Sequence, residues 1–360
     1  MATYGNGWRI IGMMITQVRF EWPANKAVPE DIREDGNPLE VPPAEIVKQG
    51  RREVRKFLEE LAVQGDEVVY EAKLLILGDA GAGKTTLAWK LADPDAGMPD
   101  PVQDSTAGIE VRELKLIAGD PPFTVHVWDF GGQEVYHATH QFLLTKRSLY
   151  VLLCDGRKEE QFDYWLQAQE LYGKDSLLLL VVNQKGEMQS NLPMSDLRRD
   201  YPNVQEATPT LLNLKTDRDG VVSFRNAVER TIRNLPHFTR GEKAPKLWVA
   251  IRQHLAGLKT DHIPLSEFRE ICANKGIPER DRQNFLLDFL HNLGAFLHFS
   301  DVAGLDQLVI LKPEWATSAV YRVLDHTQKK GDNGHFSHRD LEHIWNCAEY
   351  ADYFNALLCC

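Results

Sequence analysis

The pattern Gly78-Asp79-Ala80-Gly81-Ala82-Gly83-Lys84-Thr85, followed by Thr86, constrains this chain more than any other stretch of it. It stands between an apolar run of strand length, Ala72 to Leu77, and the helically spaced Leu87-Ala88-Trp89-Lys90-Leu91, which Asp93-Pro94 stops. A glycine-rich turn between strand and helix lets backbone N–H groups close around phosphate oxygens, and the positive end of the helix dipole points the same way. In such a turn Lys84 reaches the outer phosphates, and the Thr85 hydroxyl suits Mg²⁺, a hard cation that takes oxygen ligands. The context predicts nucleotide binding through residues 78–86. The loop alone does not choose GTP over ATP.

Strands and helices alternate around this unit. Strands are expected at 73–78, 109–118, 123–128, 148–154, 177–182 and 210–214, and helices at 85–92, 135–142, 162–171, 196–200 and 221–235. Only Gly119-Asp120-Pro121-Pro122 separates the second and third strands, a hairpin-length link that makes one edge strand antiparallel. The expected fold is α/β, with a mainly parallel six-stranded sheet. After the third strand comes Asp129-Phe130-Gly131-Gly132-Gln133-Glu134. An Asp at a strand end beside a glycine pair suits a Mg²⁺-associated carboxylate, followed by the Gly132 N–H as a sensor of a γ-phosphate. Upstream, Asp104-Ser105-Thr106-Ala107-Gly108-Ile109 places Thr106 in a loop before the second strand, where its hydroxyl would join Thr85 and Asp129 as a metal ligand.

The run Trp128-Asp129-Phe130-Gly131-Gly132-Gln133-Glu134-Val135-Tyr136-His137-Ala138-Thr139-His140-Gln141-Phe142-Leu143 closely resembles the Ras-of-complex-proteins (Roc) domain of bacterial Roco proteins. That resemblance implies a Ras-like GTPase that uses Mg²⁺, binds GTP and GDP, and turns over slowly. Gln133 would orient the attacking water and Lys84 would serve the transferred phosphate. Ala80 stands where many small GTPases have glycine, and its methyl would crowd the water or Gln133. Arg112, Arg147 and Arg157 are candidates to assist hydrolysis, weighed against ordinary solvated arginines. Small GTPases read guanine with N-K-x-D, whereas this chain has Asn183-Gln184-Lys185-Gly186-Glu187-Met188, with one extra residue and Gly186 where Asp is expected. Guanine selectivity then rests on Glu187 reaching the base beside Asn183 and Lys185. Asn213-Leu214-Lys215-Thr216 resembles the further loop that supports the base, with Leu214 and Lys215 as its contacts.

Past a linker at 240–245 the chain turns helical, with amphipathic stretches at 246–258, 265–272 and 282–293. Two strands, 295–299 and 307–311, would then form a hairpin in the manner of a winged helix. Winged helices often bind DNA, but the segment from Ala244 onward shows no basic stripe, which favours protein contact. The stretches Phe296-Leu297-His298-Phe299-Ser300-Asp301 and Val309-Ile310-Leu311-Lys312-Pro313-Glu314-Trp315-Ala316-Thr317-Ser318-Ala319-Val320-Tyr321 resemble the N-terminal half of the COR domain, which follows Roc in Roco proteins. The resemblance implies signalling to COR, protein partners through the COR and repeat regions, and room for a homodimer. The helix after Gln133, with Tyr136 and His137, is the candidate relay. The spacing of His335, His338 and His343 puts two of them within reach on one helix, but with no clear fourth ligand they read as cap and surface residues rather than metal ligands.

Residues 1–43 are the least legible. Asn37-Pro38-Leu39 and its surroundings resemble the end of a leucine-rich repeat array, against an irregular Pro-rich leader, and a single repeat cannot bury its own face. A connecting helix is expected within 44–66, the Roc domain over 67–238 and the COR part over 244–360, the whole reading as a piece of a longer protein. The 360 residues carry a net charge of −11, which gives no attraction toward nucleic acid or anionic membranes. The apolar run 10–15 is too short to span a bilayer. Five scattered cysteines, with no C-x-x-C pair, fit a reducing cytoplasm. Two other readings are kept: a nucleotide-responsive scaffold with negligible turnover, and an ATP-binding switch.

Overall fold

Strands covered by structure on both sides must be apolar on both faces, and the run Leu74 to Leu77 meets that demand. The computed structural model describes residues 51–100, 109–116, 123–130, 144, 148–155, 162–173, 176–185, 194–205, 210–235, 242–300, 305–330, 337–347 and 350. The repeat-like leader, Thr106, Gly132, Gln133 and Glu187 lie outside them, as do Tyr136, His137, Arg147, Arg157 and His335.

The chain enters through α1 (Arg51–Gln64) and β1 (Asp66–Val69). Then follow β2 (Glu71–Leu77), α2 (Lys84–Ala92), β3 (Ile109–Leu116), β4 (Phe123–Phe130) and β5 (Leu149–Asp155). After β5 come α3 (Phe162–Ala168) with a π-helical turn at Gln169–Gly173, β6 (Leu178–Asn183), α4 (Met194–Asp200), β7 (Thr210–Leu212) and α5 (Arg218–Asn234). The six-stranded sheet runs β3-β4-β2-β5-β6-β7, and only the β3–β4 pair is antiparallel. This is the α/β, mainly parallel sheet with one antiparallel edge that the Gly119–Pro122 spacing predicts.

Alternation divides the sheet between two cores. Leu74, Ile76, Val125, Val127, Val151 and Leu153 face α2 and α5, where Leu87, Val221, Phe224 and Val228 cover them. Leu75, Leu77, Trp128, Phe130, Tyr150 and Leu152 face the other way.

The second domain continues from β8 (Glu242–Pro245) into α6 (Lys246–Ala256), β9 (His262–Pro264), α7 (Leu265–Asn274) and α8 (Arg280–Asn292). A 3-10 turn (Leu305–Gln307) leads to β10 (Leu308–Ile310), α9 (Pro313–Lys330) and α10 (His338–Ile344). The expected hairpin of 295–299 with 307–311 is realised differently. β10 pairs antiparallel with β9, and from the earlier segment Leu297 alone bridges to Ile310, through two backbone bonds of 2.9 Å. The β9 edge offers three register partners to Leu308, Val309 and Ile310, more than the turn after Gly294 leaves to the other side.

Two polar segments that show no strand pattern pair with each other: β1 lies antiparallel to β8, from Asp66 opposite Pro245 to Val69 opposite Glu242. The sheet domain is therefore held between the two strands of this ribbon. Consistent with that, α1 packs onto the second domain, where Val54 and Phe57 join Trp248, Phe268, Leu286 and Phe289 in one core. The Phe57 and Trp248 ring centroids are 5.5 Å apart, and Glu60 pairs with Arg282 in a largely buried site. Burial pushes the Glu60 carboxyl up, and the Arg282 guanidinium opposes that rise. Removing two methyl groups with Val54→Ala is expected to destabilise this domain by about 2 kcal/mol, read by urea denaturation.

Candidate functional site

The site forms at the C-terminal ends of β2, β4, β5 and β6, where a doubly wound sheet opens a crevice. The loop after β2 closes tightly because Gly78, at φ 139°, lies against β5: a Cβ there would meet the Leu153 carbonyl oxygen at 2.1 Å. Gly83, at φ 109°, precedes α2, and a Cβ on it would meet the Asn183 amide nitrogen at 2.8 Å. These two glycines let the loop turn into the helix and let the β6 loop press against it. Lys84 is 5% exposed, and its Nζ donates to the Gly78 and Asp79 carbonyls at 2.7 and 2.9 Å. No side chain caps the start of α2, so its first N–H groups face the loop as anion donors. Ala80 and Gly81 are exposed at the loop's crest, Ala82 and Thr86 are buried, and Thr85 is half-buried.

Asp129 is fully buried at the end of β4, paired in register with Ile76 of β2. The Thr85 hydroxyl and the Asp129 carboxylate are both hard oxygen donors, from the loop and from the neighbouring strand, and this donor set fits Mg²⁺. Thr106, the third expected ligand, lies outside the described residues.

Asn183 and Lys185 tie the β6 loop to the phosphate loop. The Asn183 amide donates to the Ala82 carbonyl at 2.8 Å and accepts from the Leu214 N–H at 3.3 Å. Lys185 donates to the Gly81 carbonyl and, at 3.0 Å, to the Asp155 carboxylate. The inserted Gln184 is held by its N–H to the Leu212 carbonyl at 2.6 Å, so the extra residue is absorbed at the β7 edge and Lys185 still reaches the loop. The Lys215 N–H donates to the Asn213 side chain at 3.0 Å. In this arrangement Leu214 and Lys215 brace Asn183 and the turn; their amides engage side chains of the chain itself.

Sequence reasoning missed Asp155. It is 2% exposed at the end of β5, and its partner is thirty positions away, so no local pattern marks it. Arg112, a candidate for assisting hydrolysis, stacks its guanidinium 5.1 Å from the Trp89 ring centroid and pairs with Glu110. That engagement explains its place on β3 without phosphate. His338 pairs with Glu342 at 3.4 Å, and among the described residues no cluster of His, Cys, Asp or Glu could hold a metal ion. No helix among the described residues is long and apolar enough to cross a membrane.

Two family profiles match the chain. One, described as "Ras of Complex, Roc, domain of DAPkinase", covers residues 73–186, and the other, "C-terminal of Roc, COR-A domain", covers 245–359. The solved structure of Methanosarcina barkeri Roco2 RocCORdC bound to GDP superposes with a TM-score of 0.68 at 30% identity, over 81% of this chain and 90% of that one. Among curated proteins, the probable serine/threonine-protein kinase pats1 of Dictyostelium discoideum is 28% identical over 89% of the chain. A Roc-COR-CHAT protease of an unknown prokaryotic organism is 25% identical over 92%. The chain spans 11% and 35% of the lengths of these two relatives.

Proposed function

The chain belongs to the Roco family, with a Roc domain followed by COR-A, and from that premise we propose that it is a Mg²⁺-dependent GTP switch with slow hydrolysis to GDP and phosphate. The observation that carries this reading is the double tie of Asn183 and Lys185 to the Ala82 and Gly81 carbonyls. It joins a base-reading loop to a phosphate loop, so that base and phosphates are bound as one unit. The GDP in the Methanosarcina barkeri relative agrees with it.

The roles combine the placements of Lys84, Thr85, Asp129 and Lys185 with the family resemblance. Lys84 and the N–H groups opening α2 bind the β- and γ-phosphates, and Lys185 and Glu187 would read the base. Thr85, Thr106 and Asp129 would hold Mg²⁺, which would neutralise charge on the phosphate oxygens. Gln133 orients the water, and the Gly132 N–H senses the γ-phosphate.

The signal leaves through COR. Asp129 sits between Trp128 and Phe130, which share a core with Trp315, Ala319 and Trp345 of the second domain. The Val111 N–H on edge strand β3 donates to the Glu314 carboxylate at the start of α9, at 3.0 Å. A ligand shifts such a switch only by its different affinity for the two states, and these contacts give α9 a way to favour one of them.

The test is titration with GTP, GDP and ATP in Mg²⁺, followed by single-turnover phosphate release. Guanine-selective binding with slow release is expected. Binding without release would make the protein a nucleotide-responsive scaffold, and equal or better ATP binding would overturn the assignment. Asp155→Asn is expected to weaken GDP binding about tenfold, because Lys185 loses a charge-assisted hydrogen bond. The dissociation rate of GDP reads it.

A further inference from the structure

Resting on the nucleotide reading above, we propose that Trp165 is a positioning residue for nucleotide binding, acting through the acidic side chain of Asp79. Asp79 is the second residue of the phosphate loop, and its carbonyl already accepts from Lys84. A carboxylate there is a liability, because a loop that must hold a polyanion carries a group that repels it. The structure disposes of this carboxylate in one direction. The Trp165 indole N–H donates to Asp79 Oδ1 at 2.9 Å.

Trp165 cannot wander. It is 2% exposed on α3, packed in the core with Leu77, Cys154, Ala168 and Leu180, and its ring meets Tyr164 edge-on at 5.1 Å. The indole therefore presents a fixed donor from beneath the loop, while Asp79 itself is only half-buried. Trp donates and cannot accept, so the contact requires an acceptor and stabilises the carboxylate where it lies. Without that donor the Asp79 side chain regains its rotamers, including those that bring its charge toward the phosphates. The role is specific to the charge at position 79: Trp165 matters for binding because Asp79 is acidic.

The experiment is a double-mutant cycle, with the affinity for GDP in Mg²⁺ measured for the wild type, Trp165→Phe, Asp79→Asn and the double variant. Thermal melting of each checks folding. Trp165→Phe is expected to bind GDP about tenfold more weakly, the loss of one hydrogen bond to a charged group. Whatever affinity Asp79→Asn alone sets, the double variant should match it, because Trp165→Phe has no charge left to release. An equal loss from Trp165→Phe in both backgrounds would make Trp165 a structural residue only and overturn the proposal, as would unchanged binding by Trp165→Phe. A wild type that binds ATP and not GDP would overturn the guanine reading while the cycle, run with ATP, still decides the role of Trp165.

Discussion

Lys84→Ala is expected to lower the affinity for Mg²⁺·GTP by about 100-fold or more, since each hydrogen bond to a charged group contributes about 1.5–3 kcal/mol and several are lost together. The Nζ sits almost out of solvent, donating to the Gly78 and Asp79 carbonyls, so its direction is set by the loop before any ligand arrives. A pre-aimed charge is worth more than a mobile one, because little entropy is lost when phosphate binds. Lys84→Arg should rescue poorly, as the guanidinium is larger and planar and cannot occupy a place shaped for a point charge. The measurement is a GTP titration beside a thermal melt. Unchanged melting with lost binding is the expected pair, and near-normal binding by Lys84→Ala would remove the phosphate loop from the function.

What was legible in the sequence is what is local. The phosphate loop, its strand and its helix lie within 22 consecutive positions, Glu71 to Ala92, and the hairpin-length link before β4 dictated the antiparallel edge. The β1–β8 ribbon was not legible, because both strands are short and polar and their pairing spans the whole sheet domain. For the same reason α1 read as a connector, although its apolar stripe lies in the core of the second domain. In the site, Asn183 and Lys185 could be named from the resemblance to N-K-x-D, whereas Asp155 and Trp165 bond to partners 30 and 86 positions away. The hairpin expected after α8 failed on competition: β9 offered β10 a longer partner than Leu297 and its neighbours did.

Lys73 shows most clearly how a second domain changes the meaning of a residue. In sequence it is an ordinary strand lysine. In the structure its Nζ lies 3.8 Å from the Trp128 ring centroid, and Gly294 covers its aliphatic stem. Around it stand His291 from α8 and His126 from β4, and two residues earlier on its own strand Glu71 pairs with His126 and Arg252. Burial brings the Lys73 ammonium down from 10.5 to about 7, and burial, Lys73 and His298 together bring His291 down from 6.5 to about 3. Between pH 7 and 10.5 the unfolded chain holds a proton on Lys73 that the folded chain does not, so stability rises with pH across that window. His291 acts in the same sense between pH 3 and 6.5. The cost of Lys73 is therefore complete below pH 7 and gone above 10.5. Set against a cation–π attraction of about 0.5–2 kcal/mol, Lys73→Met is expected to stabilise the protein by about 3 kcal/mol at neutral pH. Urea denaturation from pH 5 to 10 checks it: the variant should gain most at the acidic end of the upper window, lose the slope above pH 7 and keep a slope below pH 6.5 over a narrower span, because burial still depresses His291 while the Lys73 charge no longer does. A variant less stable than the wild type at pH 7 would mean that the buried ammonium stabilises the contact between the two domains.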